Sequence, residues 1–205
     1  MPGPEQQPNL SKPPVRQPTL PERPAVVPDI AIDVNSRVNA QEIPAIRNLV
    51  NEVMLVVDLD PAIRAVTRDP RMKLEVAIVP KSVLDKIITQ RDPGVSQESL
   101  KSVDGYTTSE QPSGPGFYRM YVDENVLSSA PRTIVTLHNQ LHHVVRGVKG
   151  PRTASLAATD QEVQGSALEG LRRIETSLRS SPRVAYQKLG EEMRPLIEAE
   201  ARRLK

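Results

Sequence analysis

With one phenylalanine, four tyrosines, no tryptophan and no cysteine among 205 residues, this chain has to build its core from Val, Leu, Ile, Ala and Met. The spacing of those aliphatic residues therefore carries most of the fold information. The same scarcity excludes several classes of function. Aromatic platforms for stacking single-stranded nucleic acid are mostly absent, and a formal net charge of +2 supplies no field to gather a polyanion. Without cysteine there is no disulfide framework, no thiolate catalysis and no sulfur-ligated zinc, which suits the cytoplasm or another compartment that does not depend on disulfides. No run of about twenty apolar residues is present to span a bilayer. The start, MPGPEQQPNL, lacks the basic and apolar segments of a secretory signal.

Nine prolines fall within residues 1–28, with few apolar residues between them. Such a stretch buries too little surface to offset its ordering entropy, so it is expected to be a disordered, partly polyproline II arm, with PPVRQP and LPERP as docking segments for a protein partner. Residues 29–205 then read as one α+β domain, mostly helical with a small mixed sheet. Asn39 and Glu42 resemble a capping box ahead of Ile43, Ile46, Val50, Val53 and Val57 at helical spacing. In VVDLDP, Asp60 before Pro61 reads as the cap of a short helix rather than as half of a carboxylate site with Asp58. KLEVAIVP (73–80) is a β-branched run, and SVLDKIITQ returns to helical spacing. Residues 91–116, rich in Gly and Pro, read as a long loop, and 116–127 as a strand or hairpin. A helix capped by Ser129 is expected to stop at Gly147. Thr159 and Glu162 resemble a second capping box, ahead of a stripe of Val163, Ala167, Leu171, Ile174 and Leu178. A last amphipathic helix carries Ala185, Leu189, Met193 and Leu196, with a bend at Pro195. The basic surplus between Leu171 and Lys205 reads as a solvated face.

All three histidines of the chain lie in TLHNQLHHVVRG, at His138, His142 and His143. Residues four apart on a helix share a face, so His138 and His142 can reach one ion, whereas His143 points about 100° away from His142. Two imidazoles alone hold a metal weakly, and histidines on so apolar a helix can instead bond to neighbouring carbonyls.

The order strand, loop, strand and histidine helix over residues 73–146 resembles the core of the zincin metallopeptidases. That resemblance implies zinc as the metal and places the two helix ligands on His138 and His142. It makes 117–122 the edge strand along which a partner segment would add. Glu169, in the pair Glu169-Gly170, matches the family's third ligand, while Glu175 lies nearer the apolar stripe and is the alternative. Asn139 stands where the family has its general-base glutamate. An amide has no basic site near neutral pH, and general acid–base help contributes roughly 10²–10⁴ in rate. The resemblance thus implies a pseudo-metallopeptidase acting as a binding or structural module, with no confident catalytic residue. Asn139 would be either a natural loss or an engineered substitution.

Two alternatives stand beside it. One is an active zinc metallopeptidase or secreted effector in which another carboxylate replaces the base. The other is an assembly or virion-type structural protein, homo-oligomeric and metal-free, reaching neighbours with the proline-rich arm and indifferent to His138→Ala. In each case the expected partner is protein, with no membrane contact and no nucleic acid.

Overall fold

The computed structural model describes residues 30–34, 40–109, 115–149 and 156–204. The proline-rich arm and Asn39 lie outside them. The chain is mostly helical around a four-stranded mixed sheet: β1 (Ala31–Val34), β2 (Lys73–Val79), β3 (Gly105–Ser109) and β4 (Phe117–Asp123). The strand order is β1-β2-β4-β3, with β1, β2 and β4 parallel and β3 antiparallel to β4. Beyond its first residue β2 is buried on both faces, as its near-continuous apolar text requires of a parallel strand inside a sheet.

The register divides the sheet into two faces. Leu74, Val76 and Ile78 of β2 stand beside Tyr118, Met120 and Val122 of β4 on the main core face. The core on that face also takes in residues of α1 (Ile43–Val57), α2 (Pro61–Thr67), α5 (Ala130–Lys149), α6 (Leu156–Arg179) and α7 (Val184–Arg203). On the other face, Ala77 and Val79 meet Leu84 and Ile88 of α3 (Lys81–Arg91) and Leu100 of α4 (Gln97–Lys101). Beyond that small cluster, Glu75 and Arg119 form an ion pair at 2.7 Å across adjacent strands. Helix α5 is the hub, packing on α1, α2, α6, α7, β3 and β4. Val163, Ala167, Leu171, Ile174 and Leu178 of α6 all turn inward, as their spacing requires.

Several expectations need correction. The segment 91–116 is not one long loop, because it holds α4 and β3. The text of β3, GYTTS, has no apolar alternation, since an edge strand takes its stability from the ladder to β4 more than from burial. Residues 117–122 are accordingly not the edge: β4 runs between β2 and β3, and its alternating Tyr118, Met120 and Val122 fill the core. Gly147 does not end α5, which continues to Lys149; the missing side chain instead admits the ring of Tyr118, whose Cε1 would lie 3.0 Å from an added Cβ. Thr159 lies inside α6 rather than at its cap, α7 runs through Pro195 without a break, and Ala185 is exposed on it. Among the described residues, no helix is long and apolar enough to cross a membrane.

Candidate metal centre

The helix pair His138 and His142 is buried at the middle of α5, with 0% and 3% of the residue exposed. Their rings are tilted by 42° with centroids 4.6 Å apart. Both Nε2 atoms point at one oxygen: Asp60 Oδ2 lies 3.1 Å from His138 and 3.0 Å from His142. Asp60 is itself fully buried. Its two oxygens divide the work, because Oδ1 accepts from the Ala62 amide at 2.9 Å and caps α2 while Oδ2 gathers the histidines. Asp60 is thus the cap that its place before Pro61 predicts, and it also joins the two histidines.

This carboxylate arrives from the α1–α2 corner, 78 positions before His138. Asp58 braces the corner, accepting from Arg68 at 2.8 Å and from the Thr67 hydroxyl at 3.2 Å. Neither sequence candidate for the third position joins the group. Glu169 has a side chain 71% exposed and pairs with Arg173 at 3.7 Å. Glu175 turns toward α7, pairing with Arg194 at 3.2 Å and with Arg179 at 3.3 Å. What α6 contributes is Gly170. A Cβ there would lie 2.0 Å from Asp60 Oδ2 and 2.7 Å from His138 Nε2, so the helix backbone lies directly on the cluster. Asn139 is half-buried on the next position of α5.

The hydrogen-bond chemistry constrains the protons. A carboxylate only accepts, so with no ion between them each Nε2 must carry the hydrogen it donates to Oδ2. His142 Nδ1 stands 3.1 Å from the hydroxyl of Ser166 on α6. Buried His138 Nδ1 has no hydrogen-bond partner among the described residues. Burial would raise the Asp60 carboxyl, but bonds from His138, His142 and the Ala62 amide outweigh it and hold the group well below the usual carboxylate range. Burial lowers the His138 imidazole to about 4, against the opposing pull of Asp60.

A pH dependence follows for the metal-free protein. Between its ordinary value of 6.5 and about 4, His138 binds a proton in the unfolded chain but not in the folded one. The stability it contributes is therefore complete above 6.5 and lost as the pH falls toward 4. Asp60, whose folded value is depressed, adds to the loss only below its ordinary 3.8. Unfolding free energies from urea titrations at pH 7.5, 6 and 5 are expected to fall with a slope of up to about 1.4 kcal/mol per pH unit, and His138→Gln should flatten that window. A wild-type midpoint that stayed level from 7.5 to 5 would contradict a neutral buried imidazole.

The donor set also fits a divalent ion. Tetrahedral zinc with bonds of about 2.0–2.1 Å sets its ligand atoms about 3.3 Å apart. Here two edges of the triangle are 3.0 and 3.1 Å, and all three atoms lie within 4.8 Å of one another. An ion would take both Nε2 lone pairs and move the ring hydrogens to Nδ1, where Ser166 Oγ is placed to accept from His142. Imidazole and carboxylate donors suit first-row divalent metals such as zinc. No protein-family model, curated protein or solved structure matches this chain, so its functional reading rests on these residues.

Proposed function

We propose that this chain is a zincin-like scaffold, a non-hydrolytic binding or structural module organised around a metal centre of His138, His142 and Asp60. The observation that carries the reading is closure. The three residues are 0%, 3% and 0% exposed, and α6 lies over them at Gly170. A hydrolytic zinc keeps its fourth position open to water and substrate, whereas here the three donors are buried and the α6 backbone lies against them. An ion here would supply charge that neutralises Asp60 and a cross-link between the α1–α2 corner and α5.

Support for the zincin comparison comes from two parallel strands, β2 and β4, an antiparallel edge strand β3, and the i,i+4 histidine helix that follows β4. The departures are equally specific. The third partner is an aspartate upstream of the histidines rather than a glutamate downstream, and an amide replaces the general base at position 139.

Restoring the base tests this reading against an active peptidase. Asn139→Glu is expected to remain silent toward unfolded protein substrates and toward its own chain, because a substrate carbonyl cannot reach a centre whose residues are this deeply buried. Zinc-dependent cleavage by the variant, abolished by chelator, would contradict a closed centre and favour the peptidase alternative.

A further inference from the structure

We infer that α6 is a fixed lid, so that a divalent ion held by Asp60, His138 and His142 is taken up while the chain folds and is then retained without exchange. This rests on the metal-centre reading above and adds a statement about how the ion enters and leaves. Metal release to a chelator ordinarily begins when an incoming donor atom reaches the ion. Here Asp60, His138 and His142 are 0%, 0% and 3% exposed. Gly170 leaves no gap between the α6 backbone and Asp60 Oδ2, since even one added carbon would stand 2.0 Å from that oxygen. Ser166, exposed on α6, reaches only the outward Nδ1 of His142, not the cluster of Nε2 and Oδ2 atoms.

The lid cannot lift locally. Its inward residues Val163, Ala167, Leu171, Ile174 and Leu178 are each no more than 2% exposed, so raising α6 strips most of its buried stripe from the core. Helix α7 holds it from behind. Gly190 sits so close that a Cβ there would lie 3.1 Å from the Glu175 carbonyl and 3.2 Å from the Arg179 amide. Met193 and Ile197 of the same helix are buried in the main core. An opening that exposes this much apolar surface lies near the global end of the range of native-state openings. The rate of ion loss should therefore be the rate of unfolding.

The test uses the full chain, refolded from urea with equimolar zinc chloride, desalted, and incubated with a large excess of EDTA. Retained zinc is read by elemental mass spectrometry and foldedness by circular dichroism. In native buffer the zinc is expected to stay for hours, and release should accelerate by about a hundredfold in urea at the unfolding transition, in step with the lost dichroism. Leu171→Ala, which thins the underside of the lid, should speed native release by about tenfold, whereas Gly165→Ala on the open side of α6 should leave it the same or slower, never faster. If Leu171→Ala does not fold, the urea dependence of the wild type decides. Complete release within minutes by protein that stays folded would overturn the lid while leaving the metal centre standing. Failure to take up zinc even during refolding would overturn the metal centre, and the lid with it.

Discussion

Gly170→Ala is expected to destabilise the protein by about 3 kcal/mol, although alanine is the better helix former by about 1 kcal/mol. The reason is local. The new methyl would stand 2.0 Å from Asp60 Oδ2 and 2.7 Å from His138 Nε2, and neither atom belongs to a flexible chain end that can swing aside. Asp60 is held by its cap to Ala62, and His138 is fully buried. Either α6 withdraws from α5 or the carboxylate leaves the histidines, and both expose or orphan buried groups. At this chain length the melting temperature should fall by about 6–12 °C. Gly165 lies five residues earlier on the same helix with nothing within 4 Å of an added carbon, so Gly165→Ala should stabilise by a few tenths to about 1 kcal/mol. Opposite signs at two glycines of one helix, read by thermal melts, would identify the cluster as the cause. Equal effects at both positions would remove it.

The second large effect is at Asp60. Asp60→Ala removes the cap of α2, worth about 1 kcal/mol, and takes the acceptor from two buried imidazoles, each costing about 1–3 kcal/mol if left unpaired. Ser166 can absorb one ring hydrogen through His142 Nδ1, but His138 Nδ1 has no partner to turn to among the described residues. The expected loss is about 3–5 kcal/mol, a large share of the total stability of a domain of this size. Asp60→Asn keeps an oxygen for the Ala62 amide and should be milder by about 1–2 kcal/mol. It loses the charge an ion requires, so both variants should fail to retain zinc. Urea denaturation separates their stabilities, and metal content unites them. An alanine variant as stable as the asparagine one would mean that the cap and the imidazole bonds carry little.

The same geometry predicts a cost for His138→Ala in either reading. A metal-free assembly protein was expected to be indifferent to His138→Ala. With Asp60 ionised and buried against that ring, removing the imidazole leaves a carboxylate short of a donor whether or not an ion binds. Stability alone therefore cannot separate a metal centre from a His–Asp–His hydrogen-bond cluster. Metal content can.

Where periodicity was strong the sequence was legible. The α6 stripe, the β-branched β2 and the i,i+4 histidines each announced an element and its buried face. The α2 cap was legible too, because Asp-Pro has a local meaning. The third partner was not, because it depends on the α1–α2 corner folding back onto α5 across 78 positions. A signal did exist: VVDLDP sets two acidic residues in an apolar run, and both Asp58 and Asp60 are buried. In Glu169-Gly170, the pair that suggests a ligand, it is the glycine that meets the cluster, admitting the α6 backbone onto it while Glu169 faces out. Strand β3 carries no signal because Gly, Thr and Ser leave no apolar trace, and without that neighbour the text of β4 reads as an edge.

The central claim is tested most directly by elemental mass spectrometry on tag-free protein refolded with zinc and desalted. The expected result is about one zinc per chain in the wild type and in Glu169→Ala and Glu175→Ala, and none in Asp60→Ala. A wild type that folds fully yet carries no zinc, or a Glu169→Ala variant that loses it, would contradict a centre built from His138, His142 and Asp60.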